Sequence, residues 1–532
     1  MTTSQQWETL VKTALLGTER QSLPKLADQS AVGQLLAQID STLPEQQLLD
    51  AAGLLGLYQQ VGHRPPPTAL VSPQAAAPET QPLCSPAAAR MLGQLLASHY
   101  RSVLPEFLEL LAQTNQRIPT ELLPALLSHG RRARLIQPLT LPVIGERGRW
   151  LAHYNPNWVY ATFDFTNTAQ INRHWRTAER KDRFTLLNLL RHLHPHQARE
   201  LLQQTWSSET PQERLQFIRL FKQNLSMADE PFLEEVVLPD RSQQIRQKAA
   251  ELLTHLPQSR LCQRMAERTL PHLQWKWLTR SLVITLPKEE DATLERDGIL
   301  NKGLLSRLGK HSWRLMQMVA STPLERWTQT YNTSAELLLT AVSKTKWQRS
   351  LMRGFATAAE RQQNAEWAAA ILQQSNLTTA TNKTIIKLVR VLPPPEREQL
   401  ALNMLEGYGP QETLHRHHPF IMILEHCDHE WSETLTWALL EQLKQNLSST
   451  DKTNNRPEQM FQKLLREFIM HIPPHMATTV EQQLMPIAQK DIAWRPIMSE
   501  LVSTLKFRQE MVQEILYTLR ALYNQKHKRK DL

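Results

Sequence analysis

Six potential metal ligands fall within fifteen residues: His415, His417, His418, His426, Cys427 and His429. Imidazole and thiolate are the donors zinc prefers. The spacing matches no paired-ligand pattern, and Cys427 has no second cysteine nearby. The competing reading is a His-rich loop flanking the apolar Pro419-Phe420-Ile421 segment, and no metal site is assigned. His429-Glu430 is followed by Trp431, Ser432 and Glu433, so the second histidine of a zinc-protease helix is missing. Gly298 to Gly303 is the nearest approach to a phosphate loop. Leu304 and Leu305 stand where Lys and Ser/Thr are needed to reach phosphate and Mg²⁺. No GxSxG or GxGxxG string occurs, and nothing places a carboxylate dyad. No catalytic, cofactor-binding or metal-ligating residue is therefore assigned, and the chain is not expected to be an enzyme.

One set of cations recurs with a period. Arg183, Arg214, Arg246 and Lys276 start 31, 32 and 30 residues apart, and each precedes an apolar cluster by six or seven residues. Equivalent positions in stacked repeats point the same way. The four could thus form a basic ladder that meets phosphates or an acidic helix. Residues 171–280 hold 18 Lys/Arg against 12 Asp/Glu, which keeps that reading open. The alternative is that each stem is packed and each charge solvated. Whole-chain net charge is +10, which permits an acidic protein or nucleic-acid partner.

The elements that must carry these residues read as helices. Of 532 residues, 41% are hydrophobic, with only 15 Gly against 33 Pro. Gly-dependent turns and phosphate loops are poorly supplied, whereas Pro-punctuated helices fit. Thr210-Pro211-Gln212-Glu213 is a capping box with Pro at the first helical position. Ile245, Ala249, Leu252, Leu253 and Leu256 form one apolar stripe. Leu-Pro pairs at 238–239, 256–257, 270–271 and 286–287 read as stops. The period is one helix–turn–helix unit, which cannot bury its stripe alone but can when stacked.

These patterns predict an all-α chain: an α-solenoid of HEAT-like helical hairpins with an N-terminal helical module. The expected divisions are a helical module over 1–62, a Pro-rich loop or linker over 63–86, and a helical segment with an irregular join over 87–170. Repeats follow over 171–290, then a helical region over 291–525 and a basic tail over 526–532. Trp158, Val159, Tyr160 and Phe163 read as a short extended piece, and Lys276 to Leu286 as the fourth repeat helix. Cys84, Cys262 and Cys427 are odd in number and far apart, so a reducing, cytoplasmic setting is expected. No apolar run is long enough to span a membrane, and Met1 to Arg20 lacks the pattern of a secretory signal.

Ordered strings add a family resemblance. They are Ala14-Leu15-Leu16-Gly17-Thr18-Glu19-Arg20; Cys84-Ser85-Pro86-Ala87-Ala88; Gly148-Arg149-Trp150-Leu151 with Asn155-Pro156 and Trp158; Asp240-Arg241 to Pro257 with Arg264-Met265; and Asp297-Gly298, Leu308-Gly309, Trp313 and Pro323-Leu324 to Trp327. Together they resemble a bacterial family of uncharacterised helical proteins. Its members are commonly encoded beside a MoxR-type AAA+ ATPase, a von Willebrand factor A (VWA) protein and a SWIM zinc-finger protein. The resemblance implies protein partners of those kinds and an adaptor or scaffold role in protein remodelling. The rival expectation is a nucleic-acid-binding protein using the basic ladder.

Overall fold

The structure, a computed structural model, describes residues 3–23, 30–40, 42–62, 74–97, 99–286, 292–299, 309–374, 386–407, 414, 417–448, 459–489 and 494–528. The chain is all-α but for one two-stranded hairpin among the described residues. It divides into two compact units, Met1–Ala75 and Ala76–Leu532.

In the first unit, helices Thr3–Leu16, Ala31–Leu36 and Pro44–Gly62 enclose a small core of Leu10, Val32, Leu36, Ala51 and Leu55. Ser30 caps the middle helix by accepting the Gly33 N–H.

The second unit begins inside the stretch that reads as a linker. Pro65, Pro66, Pro67 and Pro73 lie outside the described residues, but residues 79–84 are tied to the fold by hydrogen bonds. Backbone bonds tie Cys84 and Pro82 to Arg117. The Glu79 carboxylate accepts the N–H groups of Glu146 (2.9 Å) and Arg147 (3.0 Å). It thereby caps the Gly145–His153 helix, where a negative group is favoured.

The irregular join also differs from expectation. Pro156–Ala161 is a 3₁₀ helix, not an extended piece. Asn155 accepts the Asn157 N–H and Pro156 takes the first helical position, so the turn is set locally. Tyr160 is buried and donates to the Leu127 carbonyl at 3.1 Å, over Gly130, where any Cβ would strike the phenol ring.

Beyond this join, helix Arg180–Leu193 packs on Pro195–Thr205, and Pro211–Arg219 packs on Gln243–Leu253. The Thr210–Glu213 capping box forms, with reciprocal backbone bonds of 3.1 and 3.3 Å. The fourth expected helix is replaced by an antiparallel hairpin, Leu273–Lys276 with Ser281–Ile284. Residues 273–276 alternate inward and outward, with Leu273 buried and Gln274 and Lys276 exposed, the period of a strand. Trp277 and Leu278 form an exposed tip.

Two cores fill the second unit. One is built mainly from residues 84–265, the other from residues 273–505. The latter centres on Trp327, Phe355 and Trp367, with Phe355 edge-on to Trp327 at 5.4 Å and stacked on Trp367 at 5.0 Å. Helices Lys310–Ser321 and Gln348–Gln362 meet closely at Gly354. A Cβ there would lie 2.9 Å from the Met316 carbonyl oxygen and the Val319 side chain. Gly354→Ala is expected to force the helices apart and cost about 1–3 kcal/mol. A urea midpoint equal to wild type would overturn this.

The last helix, Arg495–Lys528, runs past the expected end of the helical region and includes Lys526 to Lys528 of the basic tail. Residues 529–532 lie outside the described residues. It serves both cores: Ile497, Met498, Leu501 and Leu505 belong to one, and Phe507, Met511 and Ile515 to the other. It packs on helices Pro86–Leu96 and Leu104–Gln113 at the start of the unit. Phe507 stacks on Tyr100 at 4.6 Å, and Ser85 donates to Glu514 at 2.6 Å.

Candidate functional site

The basic ladder is mostly turned inward. The Arg183 guanidinium lies 4.3 Å from the Trp175 ring centroid and 5.3 Å from that of Phe217, and it pairs with the buried Glu209 carboxylate. Arg214 repeats this arrangement with Trp206 at 5.7 Å and the Asp240 carboxylate at 3.3 Å. Tryptophan, arginine and acid each recur 31 residues on. Arg246 has no such set: it donates to the carbonyls of Asp240 and Arg241, both at 2.9 Å. Lys276 is exposed on the first strand of the hairpin and so is not equivalent to the others. The structure therefore brings Arg183 and Arg214 into one kind of inter-helix joint and leaves Arg246 and Lys276 apart.

Further arginines do similar work. Arg191 and Asp229 are both fully buried and joined by two bonds of 3.0 Å. Arg191 also donates to the carbonyls of Gln223 and Asn224 and lies 4.3 Å from the Phe221 ring centroid. Arg264 and Arg268 share Asp297. Arg260 bonds Glu230 at 2.8 Å, which holds that carboxyl below its ordinary range. Much of the local positive excess is thus spent on joining helices.

A different group of cations stays in solvent. A cavity of about 680 Å³ is lined by Arg134, Glu179, Arg180, Lys181, Phe184, Gln216, Arg219 and Leu220. Three elements build it: the 3₁₀ turn Arg134–Ile136, the start of helix Arg180–Leu193, and the end of helix Pro211–Arg219. The Arg134 guanidinium lies 5.5 Å from the Phe184 ring centroid. Four cations face one acid around an apolar patch, an arrangement suited to holding an anion with an apolar body. Arg134 ends a string that is basic in the sequence, Gly130-Arg131-Arg132-Ala133-Arg134, whereas no spacing marks Arg180, Lys181 and Arg219.

The histidine cluster disperses. His418 is buried and accepts the Phe420 N–H at 3.2 Å, capping helix Pro419–Leu424. His429 contacts Glu398 at 2.9 Å. Burial pushes the Cys427 thiol up to about 12, which opposes the thiolate a metal needs, and its sulfur lies 3.6 Å from the Ile423 carbonyl. Burial lowers His426 below the usual histidine range. His417 is exposed, and His415 lies outside the described residues. Among the described residues, no group of three or more His, Cys, Asp or Glu could hold a metal ion.

The first unit carries an unusual helix. Pro44–Gly62 turns Ala51 and Leu55 into its core, while Leu49 (63% exposed), Leu57 (64%) and Val61 (81%) lie on another side. With Gly53, these fall at successive intervals of four residues and so form one stripe. A Cβ on Gly53 would meet nothing within 4 Å. Leu15 and Leu16 on the neighbouring helix are exposed as well.

A helical architecture, inward-turned arginine joints and one open basic cleft describe an all-α protein. Residues 9–515 match a family of unknown function, DUF5691, and the chain belongs to it. No curated protein and no solved structure matches the chain. No helix among the described residues is long and apolar enough to cross a membrane.

Proposed function

We propose that the chain is a non-catalytic adaptor, a solenoid-like stack of helical hairpins whose N-terminal unit docks an amphipathic helix of a partner protein. The supporting observation is the Pro44–Gly62 helix, apolar on its core side and again along Leu49, Leu57 and Val61. A helix apolar on two sides is normally covered on both. Gly53, with open space before it, lets a second backbone come close. The family resemblance supplies the partner class: a MoxR-type AAA+ ATPase with a VWA-domain protein, in protein remodelling. Side-by-side packing of helices Arg180–Leu193, Pro211–Arg219 and Gln243–Leu253 supports the stacked arrangement. The rival nucleic-acid reading keeps two of its four proposed residues, Arg246 and Lys276, because Arg183 and Arg214 are engaged with buried acids.

The test is a native pull-down with the full chain after nuclease treatment, read by mass spectrometry, alongside Leu57→Glu/Val61→Glu. Wild type should retain the ATPase or the VWA protein. The variant should lose it by about tenfold or more, because each buried apolar side chain contributes roughly 1.5–3 kcal/mol. Equal recovery by both proteins, or partners that vanish with nuclease, would sink the reading.

A further inference from the structure

We propose that the cleft between Arg134, Arg180, Lys181 and Arg219 binds a small phosphate ester carrying a planar ring, a ligand of the nucleotide class. Its volume of about 680 Å³ suits a whole small molecule. The four cations come from three separate elements, and among the described residues none of their side chains forms an ion pair, unlike Arg183, Arg214 or Arg191. Arg180 reaches the Glu213 carboxyl only through space, helping to lower it. Four like charges around one cavity repel each other, and a bound dianion relieves that repulsion. Arginine presents paired N–H groups that match phosphate oxygens.

The backbone adds to the same field. Arg180 and Lys181 open a helix of 14 residues, so its positive end lies at the cleft. The N-cap residue Glu179 makes no side-chain cap there. The other helix at the cleft, Pro211–Arg219, has its N-terminal end closed by the Thr210–Glu213 box.

The apolar wall selects the rest of the ligand. Phe184 and Leu220 line the cleft, and the Arg134 guanidinium already lies over the Phe184 ring. A bare phosphate leaves that wall unused, whereas a flat ring stacks on it or on the guanidinium. The cations gather around one open cleft and not along an extended track, which favours a small molecule over a nucleic-acid strand. The site is independent of the apolar stripe on the first unit, so either assignment can fail alone.

The experiment is isothermal titration of the full chain at low salt with adenosine diphosphate, inorganic pyrophosphate and adenosine, repeated on Arg180→Gln/Arg219→Gln. Both positions are exposed, and circular dichroism with urea unfolding checks that the variant folds as wild type. Adenosine diphosphate should bind one per chain. Pyrophosphate and adenosine should each bind about tenfold or more weaker, and the variant should lose about tenfold or more, since a hydrogen bond to a charged group contributes roughly 1.5–3 kcal/mol. Pyrophosphate binding as tightly as the nucleotide overturns the ring. Unchanged binding by the variant overturns the cleft. No binding of any probe at millimolar concentration overturns the proposal, as does tight binding of a phosphopeptide or oligonucleotide where the nucleotide fails.

Discussion

Arg191→Met is expected to destabilise the second unit by about 3–5 kcal/mol, the cost of breaking a buried ion pair from one side. Arg191 and Asp229 have fully buried side chains. Deleting the guanidinium strands the Asp229 carboxylate, leaving Arg199 at 3.1 Å as its remaining cationic partner. The carbonyls of Gln223 and Asn224, bonded at 2.7 and 2.9 Å, lose a donor together. Asn224, at a φ of 50°, returns two bonds of 3.0 Å to the carbonyls of Arg191 and His192. One side chain therefore fixes both the turn at 223–226 and the end of its own helix. Asp229→Asn should act in the same direction. The pair Arg191→Met/Asp229→Leu should recover part of the loss, because no buried carboxylate is left without its arginine; recovery stays incomplete because Arg199 loses its Asp229 partner. Urea unfolding followed by tryptophan fluorescence reads all three. A single-variant loss below about 1 kcal/mol would show that the pair does not hold this region together.

Arg508→Met should cost about 2–4 kcal/mol and loosen the last helix from the first core. Arg508 donates to both Glu106 carboxylate oxygens, at 2.7 and 2.9 Å, and to the carbonyls of Ile469 and Ile472, at 2.7 and 2.8 Å. It lies at the point where the helix passes from one core to the other. Glu106 is 24% exposed and regains water once abandoned, so the expected loss is smaller than for Arg191. Hydrogen exchange gives the distinguishing readout. Amides in Pro86–Leu96 and Leu104–Gln113 should lose protection with those beyond residue 507, while helix Gln348–Gln362 keeps its own. Unchanged protection at 86–113 would mean that Phe507, Met511 and Ile515 hold the helix without the arginine.

The all-α class was legible because apolar stripes, Pro-led helix starts and scarce Gly all agree. Thr210-Pro211-Gln212-Glu213 shows how local this information is, since four residues specify their own cap. The ladder shows the opposite failure. Arg183 precedes Leu187 by four and Leu190 by seven residues, so helical periodicity places it on the buried face. The Trp175 and Glu209 that receive it recur as Trp206 and Asp240, a signal present in the sequence but not used. The hairpin was misread because Leu282, Val283 and Leu286 fit the repeat register, although Leu273 to Lys276 alternate with a strand period. The basic cleft was legible only in part. Arg134, Arg180 and Arg219 are brought together by packing among three segments, which no local spacing encodes. The return of residues 507–515 to the first core was hidden for the same reason.

That return has a consequence for how the protein is made. A ribosome delivers residues 84–265 long before Phe507, Met511 and Ile515, yet the first core is incomplete without them. The bond between Arg508 and Glu106 spans 402 positions of chain. Vectorial synthesis therefore leaves apolar surface on helices Pro86–Leu96 and Leu104–Gln113 open until the last helix has emerged. During that interval the nascent chain presents a vacant seat for an apolar helix, and its own C-terminus must compete with any other.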